Sequence, residues 1–213
     1  MVNLRLLAVL LAAVGLLLLH GPAPAADDAG FTKLFNGKDL TGFKIVPENA
    51  SATFPVKDGA IQVTGRPAGF FYTEKPYKNY TLRFDWKYAR PADLSEDAKF
   101  GGNSGLLVHM QTPYQVWPKC IEVQGMNREH GKIFAIGGAK GTFQDMPEVR
   151  KRVLKPVGEW NTTEVISQDG NLTAKVNGEV VSEGKGELTE GPIGWQSEGA
   201  EIHFKNIMIK ELR

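Results

Sequence analysis

Asp169-Gly170 and Asn177-Gly178 each separate two runs in which apolar and polar residues alternate. Both dipeptides supply the positive φ that a two-residue hairpin turn requires, because the backbone must twist in the same sense as the strands it joins. Thr163 to Ser182 is therefore expected to form a three-stranded antiparallel meander. A meander has to bury one face against something else, and the rest of the chain offers mainly more strands. Short runs rich in Val, Ile, Phe and Tyr recur from Phe31 onward, divided by turn residues drawn from 24 Gly and 12 Pro.

The remaining candidate strands are Phe31 to Phe35, Ala60 to Thr64, Gly69 to Thr73, Tyr80 to Tyr88, Gly105 to Met110, Ile121 to Gly125, Lys132 to Ile136, Gly191 to Ser197 and Glu201 to Glu211. No window of a dozen residues in this region keeps a 3.6-residue apolar period. The nearest is Met146 to Leu154, where Pro147 in an N1-like position allows one short helix. Pro91 to Lys99 is a polar loop. About a dozen strands in one domain imply an all-β fold, a two-sheet antiparallel jelly-roll sandwich with at most one short helix.

The first 26 residues stand apart. Arg5 gives a positive start, Leu6 to Leu19 is uncharged and apolar, and Ala23-Pro24-Ala25 offers small residues for cleavage, the pattern of a secretory signal peptide. The apolar run is shorter than the roughly 20 residues a bilayer span needs, and no Cys follows it to carry a lipid. The expected product is a secreted or periplasmic domain over 27–213, with no membrane attachment after cleavage. Loss of Arg5 leaves 24 basic against 24 acidic residues. That balance, with no Lys/Arg cluster, argues against a nucleic-acid partner, whose phosphates would have to be neutralised. The single Cys120 cannot form an internal disulfide and is expected to be a small buried apolar residue.

Three strands have one apolar edge and one polar edge. Successive strand side chains point to opposite faces, so Ile121 and Val123 separate from Glu122 and Gln124, Leu106 and Val108 from Leu107 and His109, and Leu82, Phe84 and Trp86 from Arg83, Asp85 and Lys87. If the three are neighbours in one sheet, Arg83, Asp85, Lys87, His109, Glu122 and Gln124 share a surface. Gln196 and Glu198 alternate with Trp195 in the same manner. A solvated sheet face is one reading of such a surface. The mixture of carboxylates, imidazole, amide and cations is richer than solubility needs, and Gly101-Gly102-Asn103-Ser104-Gly105 suggests a backbone approached closely.

Seven pieces occur in order along nearly the whole chain after the leader: Leu34-Phe35-Asn36-Gly37-Lys38-Asp39-Leu40-Thr41-Gly42-Phe43, Asp58-Gly59-Ala60-Ile61, Asn103-Ser104-Gly105, Glu122-Val123-Gln124, Glu159-Trp160-Asn161, Asn177-Gly178, and Gln196-Ser197-Glu198-Gly199 through Phe204-Lys205-Asn206-Ile207. Together they resemble the 3-keto-disaccharide hydrolase family of bacterial proteins with a concanavalin-like jelly roll. The resemblance implies an exported enzyme with a carbohydrate substrate, a glycoside oxidised at C3. Phe43 stands where the family's opening motif usually ends in Trp, and Glu198 where many members carry His.

A 3-keto group acidifies the hydrogen at C2, so removing that proton and expelling the aglycone, followed by water addition, gives a net hydrolysis. The route needs a base, a group to hold the enolate oxygen, and an acid for the leaving oxygen. Glu122 is the candidate base, since a carboxylate between Ile121 and Val123 is a candidate for a raised pKa. His109 is the candidate acid, and Lys87 or Arg83 would polarise the ketone unless either pairs with Asp85. Asp85, Asn103, Gln124 and Gln196 would bind hydroxyls. Trp117 would stack on a sugar or cap the core, while His130, His203 and Trp160 read as structural or exposed. His109, Glu122 and Asp85 are ligand types without a tight ligand spacing, so no metal and no cofactor is expected. Two other readings stay open: a non-catalytic carbohydrate-binding module, and a glycosidase in which Glu122 pairs with Glu198 or Asp85 across the bond.

Overall fold

The computed structural model describes residues 29–213; the leader expected over Met1 to Ala26 lies outside them. Fifteen strands and one α-helix follow in order: β1 (Thr32–Lys33), β2 (Phe43–Val46), β3 (Val56–Lys57), β4 (Ala60–Val63), β5 (Gly69–Thr73), β6 (Tyr80–Tyr88), β7 (Gly105–Val108), β8 (Cys120–Gln124), β9 (Ile133–Ile136), β10 (Gly141–Asp145), α1 (Pro147–Val153), β11 (Asn161–Gln168), β12 (Asn171–Val176), β13 (Glu179–Gly186), β14 (Gly194–Ser197) and β15 (Ile202–Glu211). They form two antiparallel sheets. One runs β10-β13-β12-β11-β6-β15-β4-β3, with β1 also on β15; the other runs β2-β5-β14-β7-β8-β9. Among the described residues no helix is long and apolar enough to cross a membrane.

The meander forms as its turns require. Gln168 pairs with Asn171 and Val176 with Glu179, and Asp169, Gly170, Asn177 and Gly178 all have positive φ, from 49° to 93°. Pro147 opens α1. β6 buries Tyr80, Leu82, Phe84, Trp86 and Tyr88 and leaves Thr81, Arg83, Asp85 and Lys87 on the outer side. The core between the sheets is aromatic. Phe71 of β5 stacks on Trp195 of β14 at 5.2 Å, and Trp86 of β6 lies flat on His130 at 3.7 Å. Burial of such rings, worth roughly 1.5–3 kcal/mol for a large apolar side chain, is what clamps the sheets together.

Three strands carry no legible pattern. β2 and β3 are too short to show a period, and β10, Gly-Thr-Phe-Gln-Asp, is a mostly exposed edge. A larger correction concerns pairing. β7 and β8 are neighbours, but β6 sits between β11 and β15 in the other sheet. Alternation shows which side chains share a face of one strand; it does not say which strands pair. With both apolar edges turned to the common core, the polar edges of β6 and β8 point away from each other.

Candidate active site

β14, β7 and β8 lie side by side, and their outer face carries the polar groups. In β8, Ile121 and Val123 enter the core between the sheets, which turns Glu122 and Gln124 outward. Leu107 of β7 stands opposite Glu122, and Gly105 opposite Gln124. Gly105 matters because it has no side chain. A Cβ there would lie 2.6 Å from Glu122 Oε1 and closer still to Gln196 Oε1, so its absence makes the space in which these two groups meet.

Glu122 is only 4% exposed. Burial disfavours its charged form and the nearby Glu198 carboxylate adds repulsion, so its pKa is pushed up to about 8. Glu198 is raised as well, by burial, against a lowering hydrogen bond from the Asn103 side chain; Asn103 and Glu198 also share an isolated backbone bridge. Gln196 is 2% exposed, and among the described residues neither its Nε2 nor its Oε1 has a hydrogen-bond partner; Asn103 Oδ1 lacks one there too. A buried polar group left unsatisfied costs about 1–3 kcal/mol. A cluster of such atoms beside a raised carboxylate is what a site poised for a polar ligand looks like. Gln124 is partly committed, its Oε1 accepting from Met126 N–H at 2.8 Å.

The structure thus brings together Glu122, Glu198, Gln196, Asn103 and Gln124. The others lie elsewhere. His109 has φ of 55°, which breaks the alternation after Val108 and drops the imidazole into the core, where Nε2 lies 3.0 Å from Ser167 Oγ and the ring meets Tyr80 edge-on. Burial lowers its pKa to about 4, so it is a neutral core histidine and not a proton carrier beside Glu122. Lys87 lies over the Trp160 ring at 5.0 Å. Arg83 is bonded to Glu164 at 3.0 Å, not to Asp85, which accepts from Thr162 and Asn206, both at 2.7 Å. These three occupy the outer face of the nine-stranded sheet and cannot serve the Glu122 site. His130 is buried, with Nε2 2.9 Å from Thr163 Oγ1. Trp117 is 43% exposed and does not cap the core.

Several motif residues prove to be staples. Asn36 and Asp39 hold the turn before β2 through bonds to the backbone of Lys38, Asp39 and Thr41, and Asn161 and Asn177 bond each other and nearby main chain. Phe43 packs edge-on against Phe71 and Trp195, so the Phe in place of Trp is a core exchange, whereas Glu198 lies at the site itself. Two aromatic residues on the same face were not singled out from sequence, Tyr72 and Tyr114. Gly-Phe-Phe-Tyr-Thr is apolar on both edges, so its period does not tell which ring faces outward. Among the described residues no three His, Cys, Asp or Glu side chains converge to hold a metal.

Fold and site define a jelly-roll protein with an acid–base cluster on the outer face of one sheet. Residues 30–210 match the 3-keto-alpha-glucoside-1,2-lyase-like domain, and the chain belongs to this 3-keto-disaccharide hydrolase family. It is 22% identical to a 3-keto-disaccharide hydrolase of Bacteroides thetaiotaomicron, over 87% of this chain and 80% of that one. A crystal structure of a candidate glycosyl hydrolase from Parabacteroides distasonis superposes with a TM-score of 0.65 at 26% identity, covering 86% of this chain and 94% of that one. A carbohydrate-binding module of Bacillus subtilis, at 12% identity and a TM-score of 0.55 over 80% of this chain and 96% of that one, shares the fold.

Proposed function

We propose that this protein is an exported enzyme that breaks the glycosidic bond of C3-oxidised glycosides by elimination and then hydrates the product. Glu122 takes the C2 proton. The electron pair of that C–H bond forms the C1–C2 double bond through an enolate as the C1–O bond breaks with its electron pair going to the aglycone oxygen, which leaves with a proton; water later adds its hydroxyl at C1 and a proton at C2. The observation that carries this reading is the Glu122 carboxyl, buried and repelled by Glu198 until its pKa is about 8, against the unpartnered Gln196 amide. A base of that strength is matched to a proton acidified by a neighbouring ketone. Gln196 Nε2–H replaces Lys87 and Arg83 as the donor to the developing enolate oxygen. The Glu122 carboxyl, once it holds the C2 proton, replaces His109 as the acid for the leaving oxygen, the Glu198 charge helps to keep that carboxyl's pKa high, and Asn103 and Gln124 bind ring hydroxyls.

The Glu122–Glu198 pair also favours a second reading, a conventional two-carboxylate glycosidase. Aglycone release from a C3-oxidised glucoside and from its unoxidised parent separates the two. Turnover of the oxidised sugar alone, with solvent deuterium appearing at C2, supports elimination; turnover of the parent supports the pair acting across the bond. Glu122→Gln is expected to lower turnover by at least 10²-fold, the scale of a positioned acid–base group, and near-wild-type rates in that variant remove Glu122 from the mechanism.

A further inference from the structure

β14 pairs with β7 at Gly194–Leu107 and Trp195–Leu106, and the same register is met again at an isolated bridge between Glu198 and Asn103. Between those points, among the described residues, no ladder pairing joins Gln196 and Ser197 to Gly105 and Ser104, which stand opposite them. The interruption lies directly under the site. One side-chain bond spans it: Ser104 Oγ–H donates to the Gln196 main-chain carbonyl at 2.8 Å, in the protein interior. Ser104 is 1% exposed, with its hydroxyl on the core side beside Phe84, Val123 and Trp195. Its own carbonyl accepts from Gly125 N–H at 2.8 Å, and a Cβ on Gly125 would stand 2.5 Å from that carbonyl, so β8 comes as near as a glycine allows. Across β7, this one residue ties the strand that carries Gln196 to the strand that carries Glu122.

We propose that Ser104 is a positioning residue for the reaction, holding the Gln196 amide beside the Glu122 carboxyl. The proposal rests on the reading of Gln196 as the donor to the enolate oxygen. A donor to charge that develops only in the transition state works by being in place beforehand. The Gln196 amide has no hydrogen bond of its own among the described residues, so the main chain beneath it sets its aim. On one side that main chain is fixed by the ladder to β5, where Gln196 pairs with Phe70 and Ser197 with Gly69, and by Ser197 Oγ–H donating to Pro67 O at 3.0 Å. On the other side the ladder is missing and the Ser104 hydroxyl stands in for it. A buried hydroxyl that merely satisfied a carbonyl would serve equally well anywhere along the strand. This one sits where the amide has to stand over Gly105, within reach of Glu122 Oε1.

The test measures kcat and KM on a C3-oxidised glucoside for wild type, Ser104→Ala, Gln196→Ala and the double variant. Ser104→Ala should lower kcat by roughly tenfold, part of the roughly 10²-fold that a misplacement of about 1 Å can cost. KM should stay as it is, because the enolate charge is absent from the bound substrate. In the Gln196→Ala background, removing the hydroxyl should cost nothing further in kcat, since a residue that acts through another has no effect once that other is gone. An unchanged kcat, a change confined to KM, or two losses that multiply in the double variant overturns the proposal. Ser104→Cys fills the same space with a weaker donor and takes the place of the alanine variant if that one does not fold. If wild type leaves the oxidised glucoside intact, the reading of Gln196 fails by itself, and crystal structures decide the hold: a Gln196 amide turned away from Gly105 in Ser104→Ala upholds it, and the wild-type placement in that variant overturns it.

Discussion

At Glu122 the unfolded chain has an ordinary carboxyl and the folded chain one raised to about 8 by burial and Glu198. A group raised on folding favours the folded state fully below its unfolded pKa and loses that contribution as pH rises through the folded value. The Glu122 contribution to wild-type stability should therefore fall between about pH 4.5 and 8. Glu122→Gln keeps the shape without the charge, so it should be more stable than wild type at pH 9, by at most about 5 kcal/mol, and near wild type at pH 4. Denaturant unfolding at the two pH values checks this, and equal midpoints at pH 9 would mean that the buried charge costs nothing. The same residue sets the rate profile. If Glu122 is the base in the free enzyme, kcat/KM should rise with pH and reach half its plateau near 8.

Strand pairing decides which polar residues can cooperate. Lys87 and Glu122 both look like site residues within their own strands, but β6 belongs to one sheet and β8 to the other. Lys87→Ala should therefore leave kcat/KM within about twofold of wild type, and a loss greater than tenfold would place Lys87 back in the reaction. Gly105→Ala should do the opposite. The added methyl group enters the space shared by Gln196 Oε1 and Glu122 Oε1, so activity should fall at least tenfold while β7 stays paired. Overpacking of this kind costs typically 1–3 kcal/mol, and a melting curve beside the assay separates lost geometry from lost fold. The segment between β7 and β8 belongs to this scale too, since it carries Tyr114 onto the face that β5 and β14 build.

Across the whole molecule, acid should unfold the protein through its buried imidazoles. Burial holds His109 near 4 and His130 near 3, so below about pH 6.5 the unfolded chain binds protons that the folded chain refuses. Stability is full above the unfolded value and falls as pH drops toward the folded ones, by on the order of 3 kcal/mol for His109. His109→Gln should flatten the stability curve between pH 6.5 and 4, and a curve as steep as wild type would assign the acid lability to carboxylates alone.

The meander of β11, β12 and β13, the extents of β5 and β6, the helix at Pro147 and the jelly-roll class were legible in the sequence, because a turn dipeptide or a period of two is a local property. So was the outward-facing Glu122, set by Ile121 and Val123 on either side of it. The fate of His109 was not legible, since a single left-handed residue after Val108 reverses its direction, and neither was the partner of Arg83, which comes from 81 residues away. What the sequence alone determined was the face each side chain takes within its strand. Only the tertiary structure decided which faces meet, because that depends on long-range pairing and on how two sheets divide one aromatic core between them.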